Sequence, residues 1–401
     1  MNSSSLKIIN AKIITPGRIL KNGSLLVNNG KITAIAENNI DAESDMVIDA
    51  AGKYLSPGFI DIHVHGGGGH DFMDNTVTAY LEIAKLHASY GTTSFTPTTL
   101  SCEREALFET LSLYEESEKL NVLGANYLGM HIEGPYFAMD QRGAQDARFI
   151  RLPDPDEYKE ILQRSSIIKR WSAAPELKGA LEFGRYLKSK GILPSIAHTD
   201  AIYEEALEAY ENGYTHITHF YSCMLGVSRR NAFRYAGVVE AGYLLDNMTV
   251  EIIADGVHLP PALLKLVYKI KGPDKIALIT DAMRAAGMPP GESILGDLKN
   301  GLKVIVEDNV AKLPDRSAFA GSVATTIQLV RNMIKLADVP LIDAITMMTT
   351  TPAKIMGAGN RKGAIEVGKD ADLVLFDDQI NLCKTIIGGK VVYANNTNNI
   401  K

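Results

Sequence analysis

The chain has 401 residues, with 41 Lys+Arg against 47 Asp+Glu (net charge −6), nine His and three Cys. An apolar fraction of 46% with 22% charged residues is that of a globular protein and excludes a disordered or collagen-like chain. The acidic balance gives no electrostatic footprint for nucleic acid, and no apolar run approaches the ~18–20 residues of a membrane span.

At roughly 100–200 residues per domain the length suggests two or three domains, or one large α/β barrel of about 250 residues with a smaller companion. The opening MNSSSLKIINAKIITPGRIL lacks the apolar core and cleavage site of a signal peptide. Cys102, Cys223 and Cys383 are odd in number and far apart, which fits reduced thiols and a cytoplasmic location.

In chain order, residues 1–54 read as short strands. LKIINAKIIT, GSLLVNNGKITAIAEN and DMVIDAAGKYL are rich in Ile and Val and broken by Asn-Gly turns. The C-terminal GAIEVGKDADLVLFDD and KTIIGGKVVYAN have the same character, so the two ends are expected to pair into one small sheet domain. Between them lie eight strand candidates: SPGFIDIHVH, TTSFTPTT, YLGMHIEGP, IIKRWSAAPE, ILPSIAHTD, THITHFYS, TVEIIADGVH and KIALITDAM. Helical stretches separate most of them. TVTAYLEIAKLHASYG is amphipathic and is expected to cap at Gly91, and PPALLKLVYKIKG starts on prolines and ends on glycine. Eight alternating β/α units point to a parallel sheet closed into a barrel, with a doubly wound sheet as competitor. GLKVIVEDNVAKL reads as an inserted hairpin after the eighth strand.

Ionisable residues recur at the ends of these strands: His63 and His65, His131 and Glu133, His198, His216 and His219, Asp255 and His258, and Asp281. A barrel would gather those ends on one face. Strand residues i and i+2 point the same way, so His63 and His65 can share an ion, although two half-buried strand histidines look the same in sequence. Imidazoles with carboxylates suit Zn²⁺, Fe²⁺, Co²⁺ and similar ions. His216 and His219 face opposite sides of an extended strand, and the spacing does not say which is structural. His70 reads as a loop residue, His87 as a satisfied surface residue on a helix, and Asp61 as a structural partner of the site. His131 reads equally as a core residue or as a support for a ligand. The run Gly66–Gly69 lacks dinucleotide-motif spacing and is expected to let backbone pass close to a ligand or metal. Arg229, Arg230 and Arg234 form a basic cluster that is a solvated face or, beside the site, an anion clamp.

The order PGFIDIHVHG, HIEGP, AHT, THFY, IADGVH, LITDAM, AGS and the terminal ADLVLFD resembles the N-acetylglucosamine-6-phosphate deacetylase family of the amidohydrolase superfamily, over nearly the whole chain. The resemblance implies a metal-dependent (β/α)₈ barrel over residues 55–360, with a small β-sandwich built from 1–54 and 361–401. It implies that Glu133, His198 and His219 are the principal metal ligands, with His63 and His65 holding a second ion, so one or two ions per subunit. Zn²⁺ is the leading metal, with Fe²⁺, Co²⁺ or Mn²⁺ as alternatives. Asp281 matches the catalytic aspartate and His258 a substrate-binding histidine. Ser222, Cys223 and Arg230 correspond to positions that hold phosphate, Arg230 acting from the neighbouring subunit of a homodimer. Ala144, Gln145, Phe319, Ala320 and Gly321 correspond to the pocket lining.

Two positions depart from the family pattern. Gln145 stands where a histidine contacts the acetamido group, and Ser222-Cys223 replace Asn-Ala. Either Gln145 or His131 would assist the carbonyl oxygen. The competing readings are a deacetylase of N-acetylgalactosamine 6-phosphate or another N-acyl amino sugar, a cyclic amidohydrolase, and a non-catalytic sugar-phosphate binder. The cyclic amidohydrolases use a carboxylated lysine at the end of strand four. Here that strand ends in AAPE, with Lys169 upstream of Trp171.

Overall fold

The computed structural model describes residues 5–395. The outermost residues of the two β-rich ends, 1–4 and 396–401, lie outside the described residues.

The strand Ser5–Thr15 buries Leu6, Ile8, Ala11 and Ile13 and pairs antiparallel with Arg18–Asn28. Arg18–Asn28 turns into Lys31–Glu37 through Asn29 and Gly30, with φ of 50° and 74°. Both central residues of this two-residue turn are left-handed, which matches the right-handed twist of the flanking strands and explains the Asn-Gly pair. The C-terminal strand Leu373–Phe376 pairs antiparallel with Tyr54–Pro57, and Leu382–Ile387 and Lys390–Ala394 extend the sheet. The two ends of the chain therefore form one eight-stranded sheet with its own apolar core, including Leu25, Leu55, Leu373 and Ile386. Tyr54–Pro57 carries this sheet three residues past the expected boundary at 54.

The middle of the chain supplies eight strands in the expected order: Phe59–Val64, Thr92–Pro97, Met130–Glu133, Ile168–Ala173, Leu193–Ile196, His216–Ile217, Thr249–Ile252 and Ile276–Leu278. Neighbours pair in parallel, with the second and third joined through the Thr98–His131 bridge. A further parallel bridge between Val64 and Ala282 returns the pairing from the end of the eighth strand to the first. Helices lie between the strands, and the main core, containing Phe95, Trp171, Phe183 and Phe220, fills the space between them. Among the described residues, no helix is long and apolar enough to cross a membrane.

Local chemistry sets the helix ends. Thr76 accepts a hydrogen bond from the Ala79 amide at 3.1 Å and starts Val77–Ala88. That helix stops at Ser89, two residues before the expected Gly91 cap; Gly91 (φ +97°) instead turns the chain into the next strand. Pro261–Lys271 starts on Pro260 and Pro261 and ends at Gly272 (φ 67°), as its sequence suggested. The expected hairpin is present as Leu302–Glu307 and Val310–Lys312. Two more strands, Gly291–Leu295 and Phe319–Ser322, widen it to a four-stranded sheet. Ser322 bridges to Ala282, which anchors this sheet beside the end of the eighth strand.

Leu373 is wholly buried where the C-terminal strand meets the N-terminal ones. Leu373→Ala is expected to cost about 2–5 kcal/mol of stability. Urea unfolding followed by circular dichroism measures it, and a loss well below this range would show that the two ends do not share a core.

Candidate metal centre

Six side chains converge where the parallel strands end. His63 and His65 come from the first strand end and Glu133 from the third. His198, His219 and Asp281 follow the fifth, sixth and eighth. These last three residues have φ of 47°, 27° and 50°. Left-handed backbone at non-glycine residues costs of order 1–3 kcal/mol and collects at functional sites. Here it turns each side chain off its strand and toward the others.

Glu133 is the common element. Its Oε1 lies 3.0 Å from His219 Nε2, 3.5 Å from His198 Nε2 and 3.4 Å from His63 Nε2, and its Oε2 is 3.4 Å from His65 Nε2. Two triads with metal-ligating spacing share it: His63, His65 and Glu133, and Glu133, His198 and His219, all buried. Asp281 Oδ1 sits 3.2 Å from His65 Nε2 and 3.4 Å from His63 Nε2.

The donor set fits a divalent cation. His63 Nδ1 faces Glu251 Oε2 at 3.2 Å, and His198 Nδ1 faces the Gln141 carbonyl at 2.8 Å. Each acceptor calls for N–H on Nδ1, so the neutral rings present unprotonated Nε2 atoms inward. Those Nε2 atoms stand 3.1 Å from that of His65 and 3.2 Å from that of His219. Nitrogen and carboxylate lone pairs brought this close repel one another unless a cation stands among them.

A buried ion pair holds the cluster from beneath. Glu251 and Arg170 are in contact and fully buried. Arg170 also donates to Thr218 Oγ1 (2.7 Å), Ser195 Oγ (3.0 Å) and the Ile62 carbonyl (3.2 Å). Glu251 Oε2 takes both His63 Nδ1 and the His219 amide, the latter at 3.2 Å. Burial alone would raise the Glu251 pKa, but Arg170 holds it well below the usual carboxylate range. Neither residue stood out in the sequence reading. The available signal was an Arg and a Glu placed inside the apolar strands IIKRWSA and TVEII.

His216 is the structural member of its pair. It lies in the strand, its Nδ1 meets Thr249 Oγ1 at 2.7 Å, and burial together with the Arg170 charge pushes its pKa down to about 4. The strand ends at Ile217, so the expected opposition of two strand histidines does not apply; His219 turns inward from the segment beyond. His131 is also internal. Its Nε2 meets Ser172 Oγ at 2.7 Å, its Nδ1 meets Thr98 Oγ1 at 3.3 Å, and its ring lies 4.7 Å from that of His63. It does not line the cavity, so it cannot reach a substrate carbonyl. Asp61 receives the Thr280 hydroxyl at 2.6 Å and the His63 amide at 3.3 Å, which fits its expected structural part.

Two expectations are corrected. His87 is buried, not on the surface: its helix packs under the 66–69 loop, and His87 Nε2 meets the Gly66 carbonyl at 3.0 Å. Gly66 and Gly67 serve this packing, and none of the four glycines lines the cavity over the cluster. A Cβ at Gly66 would stand 2.3 Å from the His70 carbonyl oxygen, and one at Gly67 2.4 Å from the Leu86 side chain. His70 sits in that loop, pairing back on Gly67.

A cavity of about 310 Å³ opens on the cluster. Ser222, Cys223, His258, Phe319, Gly321, Ala144 and Gln145 line it together with His65, Glu133, His198, His219 and Asp281. His258 is held by Asp255 (Nδ1 to Oδ2, 2.6 Å) and packs on the Phe319 ring. Ala320 does not line it. Residues alternate along the strand Phe319–Ser322, so Ala320 turns into an apolar cluster with Met283 and Leu295. Gln145 is tied at both ends: it donates to Glu133 Oε2 at 2.7 Å and accepts the Ser101 amide at 2.9 Å. Lys169 is exposed and bonded to the Ser166 carbonyl, away from the cluster. Arg230 lies outside the cavity on an exposed hairpin, Ser228–Arg230 with Phe233–Tyr235, stacked over Tyr235.

Glu251→Gln would leave Arg170 buried beside an uncharged partner. Breaking such a pair costs about 3–5 kcal/mol, and losing a carboxylate behind a ligating histidine lowers metal affinity roughly 10–100-fold. Thermal unfolding and equilibrium dialysis against Zn²⁺ test both effects. Unchanged affinity would mean that Glu251 does not orient His63.

The amidohydrolase family model matches residues 54–399. N-acetylglucosamine-6-phosphate deacetylase of Bacillus subtilis is 34% identical over 396 residues, 98% of each chain. N-acetylgalactosamine-6-phosphate deacetylase of Escherichia coli O157:H7 is 30% identical, over 95% of this chain and 97% of the relative. Among solved structures, N-acetyl-D-glucosamine-6-phosphate deacetylase of Mycobacterium smegmatis in complex with N-acetyl-D-glucosamine-6-phosphate superposes with a TM-score of 0.89 at 28% identity. The match covers 98% of this chain and 100% of that one. The Thermotoga maritima deacetylase gives 0.86 at 32% identity, covering 97% and 100%. With its two candidate metal triads sharing one glutamate, the chain belongs to the amidohydrolase family, in the group of the N-acetylglucosamine-6-phosphate deacetylases.

Proposed function

We propose that this protein hydrolyses the acetamido group of N-acetylglucosamine 6-phosphate to acetate and glucosamine 6-phosphate, in amino sugar breakdown in the cytoplasm. The observation that carries this reading is the convergence of Glu133 with four imidazoles directly beside the Asp281 carboxylate. The scaffold is read as a (β/α)₈ barrel over 58–360, with 5–57 and 361–395 forming the accompanying β domain.

Glu133, His198 and His219 would hold one divalent cation, and His63 with His65 and Glu133 a second. Imidazole and carboxylate donors favour Zn²⁺, with Fe²⁺, Co²⁺ or Mn²⁺ as alternatives. A cation bound there supplies Lewis acidity, acidifying water and polarising an amide carbonyl. The chain's own residues do the rest. Asp281 Oδ1 lies 3.2 Å from His65 Nε2 and 3.4 Å from His63 Nε2, so a divalent cation held by those nitrogens would keep its carboxylate ionised at neutral pH. Asp281 takes the proton of the attacking water as general base. It then delivers that proton to the nitrogen of the departing amine as general acid. Gln145, tied to Glu133, orients that carboxylate. His258, Ser222 and Cys223 face the sugar phosphate from the cavity wall.

Arg230 is read as reaching the phosphate in the neighbouring subunit of a homodimer. The hairpin that carries it exposes Phe233 (72%), and Val227 (65%) just before it is exposed too, large apolar side chains suited to burial against a second copy. N-acetylgalactosamine 6-phosphate is the second reading, favoured by the 30%-identical Escherichia coli relative.

The deciding experiment assays acetate release from N-acetylglucosamine, N-acetylgalactosamine and their 6-phosphates with metal-loaded protein. N-acetylglucosamine 6-phosphate is expected to be the best substrate, and no release from any of the four would sink the reading. Asp281→Asn should lower kcat by at least about 100-fold, because a positioned general acid–base supplies roughly 10²–10⁴-fold. Undiminished activity would mean that Asp281 carries no proton. Arg230→Ala should raise KM for phosphorylated substrate and leave unphosphorylated sugar unaffected, while Phe233→Glu should shift the protein to monomer in multi-angle light scattering. Equal effects of Arg230→Ala on both sugars would rule out the phosphate contact.

A further inference from the structure

A second, larger cavity of about 810 Å³ abuts the 310 Å³ cavity over the ligand cluster. Leu100, Ala144, Gln145 and Leu295 line both, so they form the partition. These residues come from three separate segments. Leu100 follows the second parallel strand, Ala144 and Gln145 lie in the loop after the third, and Leu295 ends a strand of the inserted sheet. Gln145 is fixed by Ser101 and Glu133, whereas Leu100, Ala144 and Leu295 meet only through apolar contacts in one small cluster. Beyond them the larger cavity presents the apolar Met73, Ala106, Phe149 and Leu302 among polar and charged residues that include Asp74, Glu109 and Arg148.

This geometry bears on the two substituents of a reacting amide carbon. With that carbon beside Asp281, the polar lining residues Ser222 and His258 suit the amino sugar. The apolar residues of the same lining, Leu100, Ala144 and Leu295, suit the acyl carbon. A methyl group would touch that partition, and a longer chain would point through it. We propose that the acyl subsite is open-ended. The protein also hydrolyses N-propionyl, N-butyryl and longer N-acyl groups from the same amino sugar phosphate, their tails parting the Leu100–Ala144–Leu295 partition to enter the larger cavity. Each such step is the same hydrolysis: water adds oxygen to the acyl carbon, the C–N bond breaks, and the amine leaves with the proton. The inference rests on the deacetylase reading above.

The test is a series of N-formyl, N-acetyl, N-propionyl, N-butyryl and N-hexanoyl glucosamine 6-phosphates, assayed as kcat/KM for amine release. A closed acetyl pocket rejects each extra methylene by roughly 10–200-fold. An open subsite should instead keep the butyryl compound within about tenfold of acetyl, well short of that penalty. Leu100→Phe, which thickens the partition, should lower the butyryl-to-acetyl ratio by about tenfold or more. Acetyl cleavage with butyryl more than about 100-fold slower would overturn the inference and leave the deacetylase reading standing. A ratio unmoved by Leu100→Phe would also overturn it, since the tail would then lie elsewhere. No amine release from any member would overturn both.

Discussion

The candidate site depends on one buried ion pair. Arg170 and Glu251 meet in the interior beneath the ends of the parallel strands, with no exposed surface on either. Removing two charges from water is expensive, and the cost is offset only where every remaining donor and acceptor is satisfied. Here Arg170 spends its donors on Thr218, Ser195 and the Ile62 carbonyl, while Glu251 receives His63 and the His219 amide. The pair thus links the first, fourth, fifth and seventh strands and the segment after the sixth. A single carboxylate orients one member of each candidate metal triad.

Above that pair the arrangement is electrostatically incomplete. Glu133 draws four Nε2 atoms to within 3.5 Å, and two neighbouring imidazole pairs stand only 3.1 and 3.2 Å apart. Strained backbone at His198, His219 and Asp281 keeps these groups in place. A rigid, lone-pair-rich cluster of this kind is built to be completed by a cation. The charge that matters for an anionic substrate is therefore local, and the net −6 of the chain says nothing about it.

Gln145 connects the metal-side geometry to substrate choice. Its carboxamide braces Glu133 and forms the fixed post of the partition between the two cavities. The side chains around that post are apolar and belong to segments that are not neighbours in sequence. One residue therefore takes part both in aligning the shared glutamate and in bounding the space beside it.

Much of this was legible in the sequence. Ile- and Val-rich runs and Asn-Gly turns marked the terminal strands, and all eight middle strands appear where apolar runs stood between helical stretches. The His-x-His spacing and the polar residues closing successive strands identified His63, His65, Glu133, His198, His219 and Asp281, because strand ends carry chemistry outward from an apolar stem. Tertiary structure alone decided the rest. The Arg170–Glu251 pair joins residues 81 apart through interior-facing positions, which no local pattern reports. His216 and His219 could not be separated by spacing, because the strand ends at Ile217 and the left-handed turn at His219 re-aims its ring. His87 read as a surface residue because helical periodicity gives a face but not what covers it, and the covering loop is held by glycines that seemed meant for a ligand. Sequence determined which residues could do the chemistry; long-range packing determined which of them meet.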